Sequence, residues 1–316
     1  MPHTAPRPVF VIGSFVMACC WFTHRLPVRG EHQHAQGFLM EPGGKGLNVA
    51  LALRRLGTPV HLLLGVGSDH AADALHALLR REGLPETHVH RFSGPSGHGA
   101  GLIDDAGDNV IVVHPGANHR LGREHAQAAA QDIGASAVLY GQFEAPDDVL
   151  AQAFQLGRQA GAHTVLNPSP WRPIAAEVLQ HVDTLLLNAQ EACALFGVAP
   201  GALAPRRAWP DQALRWRLAH PGISLLVTLG DAGCLVWPSQ ADLPQHRPAH
   251  PVQAVDTTGC GDAFAAAWCR ALACGQEQES ALQAALAAGA WVAARRGVLD
   301  ALPSHEALQA WLAGAP

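Results

Sequence analysis

The chain has 316 residues, 48% of them apolar and only 15% charged, which is enough to bury a large core and too apolar for a disordered chain. Its net charge is −5 and no basic run exceeds two residues, so there is no electrostatic footprint for nucleic acid. Seven cysteines without a C-x-x-C spacing exclude a disulfide framework and fit a reduced, cytoplasmic protein, and no stretch approaches the ~20 apolar residues of a membrane helix.

Strand-like apolar runs lie at 9–13 (VFVIG), 60–66 (VHLLLGV), 137–141 (AVLYG), 163–167 (HTVLN), 184–188 (TLLLN) and 224–229 (SLLVTL). Helical patterns fall between them, at 49–57, 71–84, 148–161 and 263–273. This alternation predicts α/β architecture, a mostly parallel sheet with helices on both faces. Two pieces break it: 15–40 carries no clear helix, and 97–113 reads as a hairpin turning at Ala106-Gly107 or Gly107-Asp108. Residues 16–19 (VMAC) resemble a lipoprotein cleavage box, but Gly13-Ser14 interrupts the apolar run before it and cleavage would remove the first core strand. The 19 histidines form no HExxH and no zinc-spaced Cys/His pairs, which predicts no metal centre built on them. His32/His34 and His88/His90 alternate as on a solvated strand face, and 200–210, rich in Pro, Arg and Trp, reads as surface.

Two glycine-rich segments carry chemistry. DTTGCGDAF (256–264) joins an extended run, VQAV (252–255), to the Ala-rich helix at 263–273. A Gly259-Cys260-Gly261 turn at a helix N-terminus aims backbone N–H groups outward and makes an anion cradle. Asp262 at its lip is either an N-cap or a base that deprotonates an alcohol attacking a bound phosphate. PGGKGLN (42–48) lets backbone approach a ligand closely, and Lys45 is the one lysine of the chain. The segment is not a Walker A loop, which needs GxxxxGK[ST].

GGKGLN and DTTGCGD, in this order, resemble the paired signatures of the ribokinase (PfkB-type) family of carbohydrate kinases. VFVIGS (9–14), HPGAN (114–118), LNPSP (166–170), NAQE (188–191) and VTLGDAG (227–233) resemble further family segments over about 250 residues. The resemblance implies a single kinase domain over 1–316: a three-layer α/β/α sandwich with a mostly parallel central sheet. It also implies a small β-sheet lid, discontinuous in sequence (15–40 and 97–113), that covers the sugar and pairs two chains into a homodimer.

The resemblance also implies roles. Asp262 matches the catalytic base and the N–H groups of Gly259, Cys260 and Gly261 the anion hole, with the Cys260 thiol idle. Asn188 and Glu191 match an N-x-x-E motif that organises Mg²⁺ through water. Thr228 and Gly230 match positions on the ATP phosphates, with the adenine between the turn that ends at Gly233 (230–233) and 286–297, where Leu286 replaces a polar residue. Asp256 matches the side chain of a K⁺ site completed by carbonyls near Thr258, Val292, Arg295 and Gly297; Ala301 replaces a serine there. Gly43, Gly44, Lys45, Asn48 and Glu144 match the sugar pocket. Val16 and Ala18 stand where ribokinase has an Asn and an Asp, followed by Cys19, Cys20, Trp21 and Phe22, so the pocket has lost a carboxylate and gained apolar surface. The expected activity is ATP-dependent phosphorylation of a sugar primary hydroxyl. A nucleoside kinase of the same fold is the alternative. Behind it stand a sugar-phosphate kinase, with Arg25, Arg29 and Lys45 on the phosphate, and a non-catalytic sugar or nucleotide sensor.

Overall fold

The computed structural model describes residues 6–106, 108–203 and 209–314. Its strands, in chain order, are β1 (Val9–Ile12), β2 (Val16–Thr23), β3 (Gly37–Gly43), β4 (Val60–Val66), β5 (Val89–Arg91), β6 (Gly97–Asp104), β7 (Asn109–His114) and β8 (Val138–Gln142). Then come β9 (His163–Asn167), β10 (Thr184–Asn188), β11 (Ser224–Thr228), β12 (Cys234–Trp237) and β13 (Gln245–Arg247). The helices begin with α1 (Lys45–Arg55), α2 (His70–Glu82), α3 (Arg123–Ala128), α4 (Ala130–Ala135), α5 (Asp147–Gln159) and α6 (Ala176–Leu179). They continue with α7 (Ala189–Phe196), α8 (Asp211–Ala219), α9 (Cys260–Ala273), α10 (Gln278–Ala293) and α11 (His305–Leu312).

Nine strands make the main sheet in the order β13-β12-β11-β10-β9-β8-β1-β4-β5. It is parallel except where β11, β12 and β13 pair antiparallel. Alternation along β1 feeds two cores: Val9 and Val11 pack with α1, α2, α9, α10 and α11, and Phe10 and Ile12 with α3 to α8. That is the three-layer sandwich expected from the sequence. β1 has β4 on one side and β8 on the other, so strand order reverses at its carboxyl end, where open α/β sheets form a crevice.

The four-stranded sheet β3-β2-β6-β7 grows out of that point. Its root is held by Asn118, fully buried just after HPGAN's turn: Oδ1 accepts from Phe15 N at 2.9 Å, and Nδ2 donates to Phe15 O at 2.7 Å and Pro115 O at 2.9 Å. α1 lies hard against β1, because a Cβ on Gly46 would sit 2.2 Å from Gly13 Cα. Gly44 turns the chain into α1 at φ 115°, where a side chain would also meet Ser14 O at 2.6 Å. In the bend between β6 and β7 the Asp104 carboxylate accepts from Ala106 N and Asp108 N; Gly107, part of both expected turns, lies outside the described residues.

Three expectations are corrected. Residues 252–255 form no strand; Val255 N and Asp256 N bond instead to Ala293 O at the end of α10, and the sheet edge is taken by β12 and β13. His88 and His90 are not solvated: β5 packs its inner face against α3 and α4, and His88 Nε2 bonds Asp132 Oδ2 at 2.7 Å while His90 stacks edge-on against His125. The 200–210 stretch is not all surface, since Leu203 is buried and Trp209 packs between Phe196 and Trp237; 204–208 lie outside the described residues.

The Asn118 clamp makes a prediction. Asn118→Ala strands the buried N–H and C=O of Phe15 and is expected to cost about 1–3 kcal/mol in urea unfolding. A loss under ~0.5 kcal/mol, the size of an ordinary surface change, would show that the clamp does not hold the root of the small sheet.

Candidate active site

Asp262 is the third residue of α9, whose N-cap Gly259 sits at φ 79° and makes no side-chain cap bond. The carboxylate turns away from its own helix and accepts from Asn48 Nδ2, in α1, at 2.8 Å. That decides between the two readings of the sequence: Asp262 is not an N-cap. Asn48 is only 8% exposed, and its Oδ1 is buried without a protein partner. Burial pushes the Asp262 carboxyl up from its ordinary 3.8 to about 6, against the lowering charge of Lys45 and the Asn48 bond; Glu144 adds to the rise. A carboxylate so poised takes a proton near neutral pH far better than an ordinary aspartate.

The turn before it is bare. A Cβ on Gly261 would meet nothing within 4 Å, and the first N–H groups of a helix lack intrahelical partners, Cys260 N reaching back to Thr257 O at 3.3 Å. The Cys260 thiol, held protonated with its pKa at about 11 by burial and by Asp256 and Asp262, has only Asp256 O as a distant partner, at 3.9 Å.

Beside Asp262 the carboxyl ends of β1 and β8 meet. Ser14 Oγ donates to Glu144 Oε2, Lys45 N donates to the same oxygen at 3.0 Å, and Gln142 Nε2 donates to Ser14 Oγ at 3.2 Å. Glu144 N in turn donates to Gln142 Oε1. Ser14 and Gln142 are fully buried, so this chain of bonds fixes the carboxylate of Glu144 next to Lys45. Gln142 was not singled out from sequence, although a glutamine ending an apolar strand run is the signal that could have found it.

Across the crevice, β10 and β11 pair Asn188 with Thr228, which brings both residues to one level. Asn188 and Glu191 close a capping box: Asn188 Oδ1 accepts from Glu191 N and Glu191 Oε2 from Asn188 N, each at 2.8 Å. Thr228 Oγ1 donates to Leu187 O at 3.3 Å, and Gly230 follows at φ 63° with open space around it. Gly233 is demanded by packing, because a Cβ there would lie 2.0 Å from Arg247 O.

Asp256 stands at the far side of the α9 turn. Its Oδ1 accepts from Thr258 N at 2.9 Å and its Oδ2 from Gly297 N at 3.2 Å. Burial alone would raise its pKa; these bonds and the nearby Arg296 charge outweigh it and leave the carboxyl below its ordinary value. Val292 O accepts from Arg295 N at 2.9 Å, the Arg295 guanidinium lies over the Trp291 ring, and Ala301 O is occupied by Trp291 Nε1 at 3.0 Å.

The small sheet shows one more feature. Register pairs Val16 with Gly43 and Ala18 with Glu41 on β3, while Ala18 and Cys20 face Gly99 and Gly101 on β6. Paired residues share a face. That face carries small residues along β2 and β6, larger apolar ones outside them (Leu39 on β3, Ile111 and Val113 on β7), and one carboxylate, Glu41, directly opposite Ala18 and pushed upward by burial and then by Asp300. Position 18 has no acid, but its partner strand supplies one, which the sequence reading missed because cross-strand register is not written in the chain.

Comparison with known proteins bears on this site. The model of the pfkB family of carbohydrate kinases matches residues 7–305. Ribokinase of Bacillus subtilis is 30% identical over 303 residues, covering 96% of this chain and 98% of that protein. Deoxyribokinase of Salmonella typhi is 29% identical over 310 residues, with coverage of 96% and 98%. Arabidopsis thaliana ribokinase, solved with ribose and ATP, superposes with a TM-score of 0.86 at 26% identity, covering 98% and 99% of the two chains.

The raised Asp262 pKa has a consequence for stability. Unfolded, the group titrates near 3.8 and folded near 6, so the stability present below the lower value is lost as pH rises through the upper one. Asp262→Asn keeps an acceptor for Asn48 and cannot ionise. Discounted for the solvent screening of a partly exposed residue, it is expected to gain about 1–2 kcal/mol in urea unfolding at neutral pH, a gain that disappears near pH 4. A variant less stable than wild type at neutral pH would contradict the shift.

Proposed function

This chain belongs to the pfkB family of carbohydrate kinases, and from that premise we propose that it transfers the γ-phosphoryl group of ATP to a primary hydroxyl of a sugar. The observation that carries the reading is the Asp262 carboxylate, raised to about 6, bonded to Asn48 and set at the lip of an unobstructed glycine turn. Asp262 takes the proton of the attacking hydroxyl as its oxygen bonds to phosphorus and the bond to ADP breaks. The N–H groups of Gly259, Cys260 and Gly261 stabilise the charge on the transferring group. Gly43, Gly44, Lys45, Asn48 and Glu144 hold the acceptor, and the orphaned Asn48 Oδ1 accepts from one of its hydroxyls. Asn188, Thr228, Gly230 and Gly233 line the ATP side.

The residues also fit the ions the family implies. Glu191 keeps one carboxylate oxygen outside its capping box, which suits Mg²⁺ held through water, and the cation would neutralise phosphate charge. Asp256, kept ionised by two N–H donors, suits a K⁺ site with carbonyls near Thr258, Val292, Arg295 and Gly297; with Ala301 standing where the family has a serine, the dependence on K⁺ is modest. The small sheet acts as the lid. The exposed apolar residues of its other face, among them Phe38, Met40, Val110 and Val112, support pairing of two lids in a homodimer. No helix among the described residues is long and apolar enough to cross a membrane, and the thiol-rich composition fits a cytoplasmic enzyme.

The small residues at the centre of that lid face support a second acceptor class. Val16, Ala18, Gly99 and Gly101 leave apolar room that a nucleoside base would fill, with Glu41 as the lid's polar grip.

ADP release over pentoses, hexoses, nucleosides and sugar phosphates tests both readings. A sugar is expected to be the best acceptor, ribose to be a poor one that improves in Ala18→Asp, and Asp262→Asn to lose at least ~10² in kcat on the best acceptor. Near-full activity of Asp262→Asn would remove the base assignment. A wild-type preference for ribose would overturn the reading of the lid, and a preference for nucleosides would favour the second class.

A further inference from the structure

At the other end of the strands from Ser14 and Glu144, three side chains from three separate elements converge. His61 is the second residue of β4, His88 immediately precedes β5, and Asp132 lies in α4. Asp132 Oδ2 is 2.7 Å from His88 Nε2 and 3.6 Å from His61 Nδ1, and one ligand atom from each residue lies within 4.8 Å of the others. We propose that His61, His88 and Asp132 form a binding site for a divalent borderline cation such as Zn²⁺, which ties α4 to the β4–β5 edge of the main sheet.

The argument rests on chemistry and spacing. Two imidazoles and a carboxylate are the donor types that such cations take. Bonds of about 2.0–2.1 Å in a tetrahedron put ligand atoms about 3.3 Å apart, inside the range these three already span. Closing the site takes side-chain adjustments: the Asp132–His88 contact opens by about half an ångström as the metal replaces its shared proton, and the His61–Asp132 distance of 3.6 Å shortens by about 0.3 Å. Both imidazoles are pre-oriented, since the buried Phe10 ring stacks on His61 at 6.2 Å and tilts against His88 at 5.6 Å. Their side chains are 25% and 11% exposed and that of Asp132 32%, which leaves an entry path and a vertex for water. Without a metal the same groups make an ordinary histidine–aspartate contact, so the two readings differ in metal uptake alone.

The test uses the full-length wild-type protein, stripped with a chelator and dialysed against Zn²⁺ buffered by a competing chelator, with Co²⁺ absorption as a second readout. The proposal expects one equivalent bound, the strong visible bands of four-coordinate Co²⁺, and a higher thermal midpoint with Zn²⁺. His61→Gln, at the most accessible histidine, and Asp132→Asn are each expected to weaken binding at least tenfold, to abolish the midpoint shift, and to leave phosphoryl transfer unchanged. Should His88→Ala fail to fold, these two carry the test. Absence of uptake by wild type, or uptake equal in both variants through other surface histidines, overturns the site.

Discussion

The bond from Asn48 to Asp262 ties the first turns of α1 and α9 together at the crevice floor, and the candidate chemistry depends on it. α1 can bring Asn48 there only because Gly46 lets it lie on Gly13 and Gly44 lets the chain turn over Ser14. α9 can point Asp262 at Asn48 only because Gly259 caps it without a side chain. The outcome is a carboxylate whose burial outweighs its stabilising neighbours, so the fold sacrifices some stability to hold its pKa near 6.

Around that floor the sheet topology distributes labour. The reversal of strand order at β1 opens the crevice and lets β1 and β8 deliver Ser14, Gln142 and Glu144 from opposite sides of one strand pair. The β10–β11 pair delivers Asn188 and Thr228 at matching levels, with β9 between them and β8, so the proposed acceptor and nucleotide sides are set apart across the sheet. The small sheet leaves at the same reversal point and is rooted by Asn118.

Much of this was legible in the sequence. Apolar runs marked β4, β9 and β10 to the residue, because strands covered on both faces need no alternation. Paired glycine motifs lie at both helix starts, although α1 begins at Lys45 inside its motif, four residues before the expected 49. What stayed hidden depends on partners distant in the chain. VQAV has strand composition but lies against the end of α10, outside any ladder. The His88/His90 alternation is real, yet whether such a face meets water is decided by α3 and α4. The Ala18–Glu41 pairing appears only once register is known. NAQE was read for its chemistry, and the structure adds that it also closes a helix start.

The pH dependence of kcat/KM for the acceptor, in wild type and in Asn48→Ala, tests the central claim most directly. If Asp262 is the base, wild type has an acidic limb with its midpoint near 6, and the limb moves upward when the Asn48 bond that holds the carboxylate down is removed. A rate flat from about pH 5 to 8, or an acidic limb that ignores the loss of Asn48, would contradict it.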